Sequence, residues 1–512
     1  MFKNVMLWGF SSISETIINE MSEKYGFFPV EWFGTSRRSS VHLNEVVKFG
    51  LLSDDYKYKS SLISPKQYDF LYKKAIHKFI EQYSRYEFRF TYFSHNLDSF
   101  HAYVNAFNIF VNYFSNKLLS GRIDLVMFTS MPHQGADLIL YELAKLLNVE
   151  TIILYQSILP NKFFIIKEQE DFGEWRTSEL IESNWSPYVI DNKFEKDLFY
   201  MYDNIEVKRL GFFERFTDLL RRNLTRKRSV YYPAYNGNLR REKHSKIDHP
   251  TEMYILFKMI WYKIKGEDIS LSSYFNILKR ISQLKLIIHP NTPPLSKYIS
   301  SEKLKFFERS MLNEHPCSMD SPFVYFPLHL QPELTTSSLG GELYCDQLLA
   351  IEQLSDVLPK KWRILVKENP KQEHYMRDET FYKRLKGINN VHLVPIDTST
   401  YKLMRECELV ATISGTAGWE AITGGKNVIT FGWAWYNNLP GVFKFEDIGN
   451  LEKVLSYQID HGELQVEVGK LVAKMGTGVL GRPYEKIIKD DTFDWEVNAT
   501  LVGDQLINYM RN

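Results

Sequence analysis

The residues best suited to chemistry are Ser414-Gly415-Thr416-Ala417-Gly418-Trp419-Glu420-Ala421, which follow an apolar run and open a helical pattern. Small residues there let the main chain approach a ligand. The N–H groups at a helix start, with the Ser414 and Thr416 hydroxyls, can hold phosphate oxygens. Glu420, about one turn into the helix, can accept hydrogen bonds from ribose hydroxyls. A strand–turn–helix with a purely structural task would need only one or two of these features.

A second constellation begins on the apolar run Phe323–His329 and empties into a loop rich in hydroxyls and glycines, Gln331 to Gly341. His329, Gln331 and Glu333 alternate along a proline-punctuated segment, so their side chains can point the same way, with Thr335 and Ser337 just beyond. That arrangement suits a polar ligand. The plainer reading is a hydroxyl-rich turn holding a satisfied histidine. A third group, Val366-Lys367-Glu368-Asn369-Pro370, offers Lys367 as a point charge for a phosphate, with Asn369 beside it. Two N-terminal clusters supply proton-transfer candidates: His133 and Asp137 in Ser130–Asp137, and Glu168 and Glu170 in Asn161–Glu170. A group transfer needs a side chain to deprotonate an acceptor hydroxyl or to attack the donor, and His133, Asp137, Glu168, Glu170 and Glu333 are the types that can.

The elements that must position these groups follow from periodicity. Val5–Phe10 reads as a buried strand, Ile13–Lys24 as an amphipathic helix and Phe27–Thr35 as a second strand. Helical patterns at Pro65–Tyr86 and Leu97–Leu118 follow, then strand Ile123–Ser130, helix Gly135–Leu147 and strand Thr151–Ser157. Strands alternating with helices imply a parallel sheet covered on both faces. Residues 1–170 are expected to form one Rossmann-like unit, and 171–315 a helical, basic middle segment. The alternation returns at 316–490, with strands at Phe323–His329, Arg363–Asn369, Val391–Ile396, Leu409–Gly415 and Asn427–Gly432, and a last helix occupies 491–512. The fold class is α/β: two doubly wound units facing a cleft, with ligands expected at the strand C-termini.

Composition bounds the function. The chain has 512 residues, 63 Lys and Arg against 62 Asp and Glu, and 44% hydrophobic residues. This near-neutral balance excludes a polycation that coats nucleic acid. It also conceals a patch: between Glu206 and Lys246 twelve Lys and Arg stand against four acids, with Phe212, Phe213 and Phe216 interleaved. Such a segment either touches an anionic membrane surface or is a solvated basic insertion. Three scattered cysteines, Cys317, Cys345 and Cys407, point to a reducing compartment. No apolar run approaches the length of a membrane span, so a cytoplasmic protein is expected, peripheral at the inner face of the plasma membrane if the basic segment binds lipid.

The sequence contains no G-x-x-x-x-G-K-[ST] loop, no H-E-x-x-H, no zinc-type Cys/His spacing and no D-x-D triplet. The economical site is therefore metal-free, built on a helix dipole and lysine, with no resident cofactor. At this point the chain resembles the capsule polysaccharide biosynthesis proteins, glycosyltransferases of GT-B fold that include bacterial β-Kdo transferases. Tyr325–His329 with Gln331-Pro332-Glu333, Val366–Pro370, Ser414–Ala421, Gly425-Lys426 and Phe431-Gly432 carry the resemblance, which is dense over Phe323–Val442. It implies transfer of a sugar from a nucleotide sugar, with CMP-activated ulosonic acids such as Kdo the best-known donors, to a polysaccharide or lipid-linked glycan. Donor-binding roles then fall on His329, Gln331, Thr335, Ser337, Lys367, Asn369, Ser414, Gly415, Thr416, Ala417 and Glu420. Relatives often carry a His-Pro pair where this chain has Asn369-Pro370, and asparagine can donate a hydrogen bond but carries no charge. Alternatives are a CDP-polyol phosphotransferase, a nucleotide-sugar epimerase, or a non-catalytic glycan-binding scaffold.

Overall fold

The computed structural model describes residues 4–10, 13–34, 41–42, 62–89, 99–174, 185–190, 260–261, 264, 321–369, 372, 377, 379–396, 398–449, 451–481 and 493–511. Nearly all of the expected middle segment, including the basic stretch 206–246, lies outside the described residues, as does Pro370.

In chain order the first unit comprises β1 (Val5–Trp8), α1 (Ile13–Tyr25), β2 (Glu31–Gly34), β3 (Val41–His42), α2 (Pro65–Arg89) and α3 (Phe100–Ser120). It continues with β4 (Leu125–Phe128), α4 (Ala136–Leu146), β5 (Glu150–Gln156) and β6 (Lys162–Ile166). The second unit runs through β7 (Phe323–Pro327), α5 (Leu334–Ser337), α6 (Gln347–Val357), β8 (Arg363–Lys367), α7 (Glu379–Lys386) and β9 (Val391–Val394). It then passes through α8 (Thr400–Glu406), β10 (Leu409–Thr412), α9 (Thr416–Thr423), β11 (Val428–Thr430) and β12 (Val442–Lys444). The chain closes with α10 (Leu451–Ser456), α11 (His461–Lys474), β13 (Gly476–Thr477) and α12 (Trp495–Arg511).

The first sheet is ordered β13-β6-β5-β4-β1-β2-β3 and the second β12-β11-β10-β7-β8-β9. In each, the unit's first strand lies inside the sheet and the order reverses beside it, between β1 and β4 and between β7 and β10. Such reversals leave a crevice at the strand C-termini. Every pairing of the second sheet is parallel. The first sheet departs from the expected parallel pattern at one edge, where β6 runs antiparallel to β5 and to β13. A tight turn sets this hairpin: Asn161 sits in the left-handed region at φ 52°, and Ser157 N–H donates to Lys162 O at 2.9 Å. Asparagine tolerates that conformation better than most residues.

Both faces of the sheets are covered, which is why their strands read as near-continuous apolar runs. Val5 and Leu7 face α1 and α12, with Ile17, Met21, Val502 and Leu506 in one core. Met6 and Trp8 face the other way, into a core built by α2, α3 and α4 that continues into the second unit through Tyr325, Trp419 and Trp435. The second sheet's opposite face packs Val324, Phe326, Ile364 and Val366 against Leu348, Ile351 and Leu354 of α6 and Tyr382 and Leu385 of α7. Beyond the second sheet, β13 at Gly476–Thr477 pairs at the edge of the first sheet, and α12 packs on α1. A two-residue strand is too short to show a period.

Candidate functional site

The loops after β7 and β10 meet at the reversal point of the second sheet, and His329 joins them. Its imidazole is buried. Nε2 accepts the N–H of Ile413 at 3.1 Å and lies 3.4 Å from the N–H of Ser414, with Thr412 Oγ1 3.1 Å away. Amides only donate, so Nε2 carries no proton and the ring is the neutral Nδ1–H tautomer. Burial, reinforced by the nearby Arg377 guanidinium, holds the imidazole down at about 3. The main chain of His329 is gripped as firmly: its N–H donates to Gln347 Oε1 at 2.7 Å, and its carbonyl accepts from Gln347 Nε2 at 3.2 Å and Arg377 Nη2 at 2.6 Å. His329 is thus the satisfied histidine of the plainer reading, and it braces the turn that opens α9.

Gln331 is likewise fully engaged. Its Nε2 donates to Cys345 O at 3.0 Å and Glu81 Oε1 at 3.3 Å, Oε1 accepts from Gln347 Nε2 at 3.0 Å, and its main chain pairs both ways with the Gln372 amide. Glu333 precedes α5, its carbonyl accepting the hydroxyls of Thr336 at 3.1 Å and Ser337 at 2.8 Å, so Ser337 is sequestered within its own turn. Thr335 offers its carbonyl to the Ser414 hydroxyl at 2.8 Å. Lys367, at the end of β8, is buried and directs Nζ at Thr398 O, 2.7 Å, and Thr400 Oγ1, 2.9 Å. Its charge sits beside the turn into α8. Asn369 N–H donates to the buried Glu368, whose other oxygen takes the Tyr382 hydroxyl at 3.1 Å and lies 3.6 Å from Arg377 Nη1.

The turn into α9 differs in kind. Gly415 occupies the N-cap position, where no side chain caps the helix, and the first turn of α9 contains no acid. Thr416 and Ala417 are half-buried at its mouth, while Glu420 is buried one turn deeper. Gly415 is required for space: a Cβ would stand 2.4 Å from His329 Cε1. The Tyr436 hydroxyl donates to the Gly415 carbonyl from below. An uncapped N-terminus carries partial positive charge and exposed donors, which is what an anionic oxygen binds.

The first unit's corresponding turn, after β4, holds His133 and Asp137 together. Asp137 is buried and accepts the N–H groups of Gln134 at 2.7 Å, Leu138 at 2.8 Å and His133 at 3.1 Å. Burial raises its carboxyl, while His133 and these amides pull the other way. His133 Nδ1 lies 2.7 Å from Met131 O, a carbonyl that only accepts, so Nδ1 is the donor and Nε2 keeps its lone pair. Glu168 and Glu170 are placed elsewhere. They pair with Lys145 in the last turn of α4, at 2.9 and 3.5 Å, whereas the His133 turn is at that helix's start. The structure therefore does not gather them with His133 and Asp137.

Helix α5 connects the two reversal points. Thr335 meets Ser414 at one side, and the Ser338 hydroxyl donates to Pro132 O, next to His133, at the other. One turn of helix is about 5 Å of rise, so the two candidate clusters approach each other across a single turn. Glu81 of α2 adds a carboxylate here through Gln331, and Gly173 packs on Trp433. Glu81, Gln347, Gln372 and Arg377 are site neighbours that the sequence does not point to. Each is a polar residue in a polar helical or loop pattern, and nothing in its spacing marks it.

Among the described residues no helix is long and apolar enough to cross a membrane. No curated protein matches the chain. Among solved structures, a β-Kdo 2,7 transferase form of Thermosulfurimonas dismutans KpsC is similar at 11% identity, over 87% of this chain and 98% of that one, with a TM-score of 0.30. The β-Kdo 2,4 transferase form aligns at 16% identity over 32% of this chain and 55% of that one, TM-score 0.21, so this chain spans about half its length there. A UDP-GlcNAc 2-epimerase from Neisseria meningitidis aligns end to end at 12% identity and a TM-score of 0.20. These likenesses are too low to say anything of activity. The family described as capsule polysaccharide biosynthesis protein matches residues 346–445, the stretch from the start of α6 past β12 that contains the turn into α9. Residues 346–445 are thus similar to the capsule polysaccharide biosynthesis proteins.

Proposed function

We propose that the chain is a glycosyltransferase of capsule or surface polysaccharide synthesis, with the donor nucleotide seated at the turn into α9. The observation that carries this reading is the contrast between the two reversal points. Both helices have a glycine N-cap without a side-chain cap, but the helix after β10 has no acid in its first turn, while the helix after β4 has Asp137 there, accepting Leu138 N–H and, just before the helix, those of His133 and Gln134. Only the former is left for a phosphate, and it lies within the family-matched residues.

In this reading Thr416, Ala417 and the N-terminal amides of α9 take the phosphate, and Glu420 faces the ribose. Ser414 and His329 shape the turn. Lys367 and Asn369 act one strand away, Lys367 as a long-range charge rather than a direct ligand, since its ammonium is held by Thr398 and Thr400. His133 is the proton acceptor best prepared among the candidates, because its Nε2 lone pair is left by the Nδ1 contact to Met131 while the Asp137 oxygens serve three amides. The acceptor hydroxyl passes its proton to Nε2 as its oxygen bonds the anomeric carbon. The bond from that carbon to the phosphate oxygen breaks, and the electron pair leaves with the nucleotide, where the helix dipole stabilises it. The donor is a CMP-activated ulosonic acid and the acceptor a polysaccharide or lipid-linked glycan.

The test is calorimetric titration with CMP, followed by incubation with CMP-Kdo, a CMP-sialic acid and UDP-sugars in the presence of glycan acceptors. Release of CMP with sugar transfer, and loss of CMP binding in Thr416→Val, is the expected result. Turnover of a UDP-sugar without CMP binding would move the chain to another donor class. Binding without any turnover would support a scaffold.

A further inference from the structure

Three side chains, Glu81 on α2, Gln331 and Gln347 on α6, form a hydrogen-bonded series from the first unit to the main chain of His329, whose imidazole reaches the turn into α9. The last link is the Nε2 lone pair on the Ile413 and Ser414 amides. The imidazole also fills the space against Gly415, where a side chain's Cβ would meet three atoms of this ring before any others, at 2.4, 2.9 and 3.3 Å. We propose that His329 is a positioning residue that sets the conformation of the Ile413–Gly415 turn by accepting its amides, and that it makes no contact with the donor. The proposal rests on the reading that this turn receives the nucleotide, and it assigns His329 a role opposite to that of a phosphate-binding histidine.

The physical logic is one of acceptor chemistry. Two consecutive amides converge on one nitrogen, which can receive them only while it is unprotonated. The groups around His329 are the Arg377 guanidinium from the segment after β8 and the uncharged Gln347 from α6, both bonded to its main chain, and the Thr412 hydroxyl from β10, 3.1 Å from Nε2. Glu368 stands behind Arg377, 3.6 Å from its Nη1. The charge that bears on the imidazole is thus cationic, and it opposes protonation. A histidine held in this state supplies a rigid acceptor at all pH values where an enzyme works. It has no proton to give a phosphate from Nε2.

The experiment measures CMP affinity and melting temperature in the full chain for His329→Leu, His329→Gln, His329→Ala, Gly415→Ala, Thr416→Val and the double variant His329→Ala with Gly415→Ala. The proposal expects His329→Leu to weaken CMP at least tenfold. His329→Gln, which returns an acceptor near the Nε2 position, should recover affinity to within about threefold of wild type. Gly415→Ala should weaken CMP tenfold in the wild-type background, and its further effect in the His329→Ala background should be at least threefold smaller. Across pH 5.5–8 the affinity profiles of wild type and His329→Gln should superimpose. A histidine that touched the phosphate would instead give wild type a titration step that the glutamine variant lacks, and that outcome overturns the proposal. Wild-type affinity in His329→Leu with loss in Thr416→Val also overturns it and leaves the donor reading standing. Wild-type affinity in Thr416→Val removes the donor reading itself. If His329→Leu does not fold, the Gly415→Ala pair carries the decision through its coupling.

Discussion

The turn after β4 and the turn after β10 occupy equivalent places in two sheets of the same strand order, and they treat the helix that follows in opposite ways. In the first, an aspartate from the helix's own first turn folds back onto three amides. In the second, a histidine from the neighbouring strand's loop takes amides before the helix, and the helix's first turn holds no acid, while neither helix has a side-chain cap. The first arrangement serves its own amides, whereas the second, in the proposed reading, is completed by the donor's phosphate. A doubly wound sheet provides a crevice at each reversal, and the difference between these two crevices is a matter of a few side chains.

Removing Asp137 should have the largest effect. Asp137→Ala leaves three N–H groups in a buried turn without their acceptor, which costs about 3–5 kcal/mol in urea unfolding, while CMP affinity in the folded fraction stays unchanged. A loss under about 1 kcal/mol would show that water serves these amides equally well and would weaken the contrast. The converse change is Thr416→Asp, which installs in α9 the anion that α4 already has. Like charge at the helix start should lower CMP affinity by on the order of 100-fold, about 2–3 kcal/mol, read by calorimetry. Unchanged affinity would mean the nucleotide sits elsewhere, and the two turns would differ for some other reason.

How far the sequence reveals this contrast depends on distance along the chain. Local periodicity locates β1, β4, β7, β8 and β10 and the helices after β1, β4 and β10, because each is one run with its own punctuation, whereas the one-turn helix α5 lies in the stretch that reads as a loop. It also marks Ser414–Ala421 as special, since glycine, hydroxyl and helix start are neighbours in sequence. Asp137 reads from the sequence as a proton-transfer candidate, and in the structure its place in the helix's first turn directs its oxygens to nearby amides. What the sequence does not reveal is direction. His329 and Ser414 are 85 positions apart, and nothing in either neighbourhood tells that the imidazole lone pair points at amides rather than at solvent. Glu168 and Glu170 read as cleft carboxylates as long as Asn161–Glu170 is known only to follow the strand Thr151–Ser157. Once Lys162–Ile166 is an antiparallel strand, the chain is carried back toward the far end of α4, where Lys145 waits.

Glu81 extends the comparison to pH. It lies on the first unit's side of the junction, with Lys78, Cys345 and Asp346 around it and Gln331 donating to it, and burial raises its carboxyl to about 7 despite that hydrogen bond and Lys78. In the unfolded chain the same group releases its proton near 4.5. The folded state therefore gains stability from the retained proton below pH 4.5, and that gain is lost as pH rises through 7. Solvent still reaches part of this side chain, so the effect is on the order of 1–2 kcal/mol between pH 5 and 8 rather than the full shift. Glu81→Gln should flatten the pH dependence of the urea midpoint over that range. An unaltered slope would assign the dependence to other groups.

The smallest effect belongs to the carboxylates that the structure sets apart. Glu168 and Glu170 share Lys145 at a half-exposed position, where paired charges gain little over their hydration. Glu168→Gln and Glu170→Gln should each change unfolding free energy by less than about 0.5 kcal/mol, and raising salt from 0.05 to about 0.5 M should erase even that difference. The value of the measurement lies in its pairing with turnover. If proton acceptance belongs to the His133 turn, both variants keep the wild-type rate with a CMP-activated donor while His133→Gln loses it. If Glu168→Gln or Glu170→Gln abolishes transfer at unchanged stability, the reacting centre lies at the end of α4 instead. The crevice after β4 would then be neither donor site nor acceptor site, and the self-satisfied aspartate there would have only its structural task.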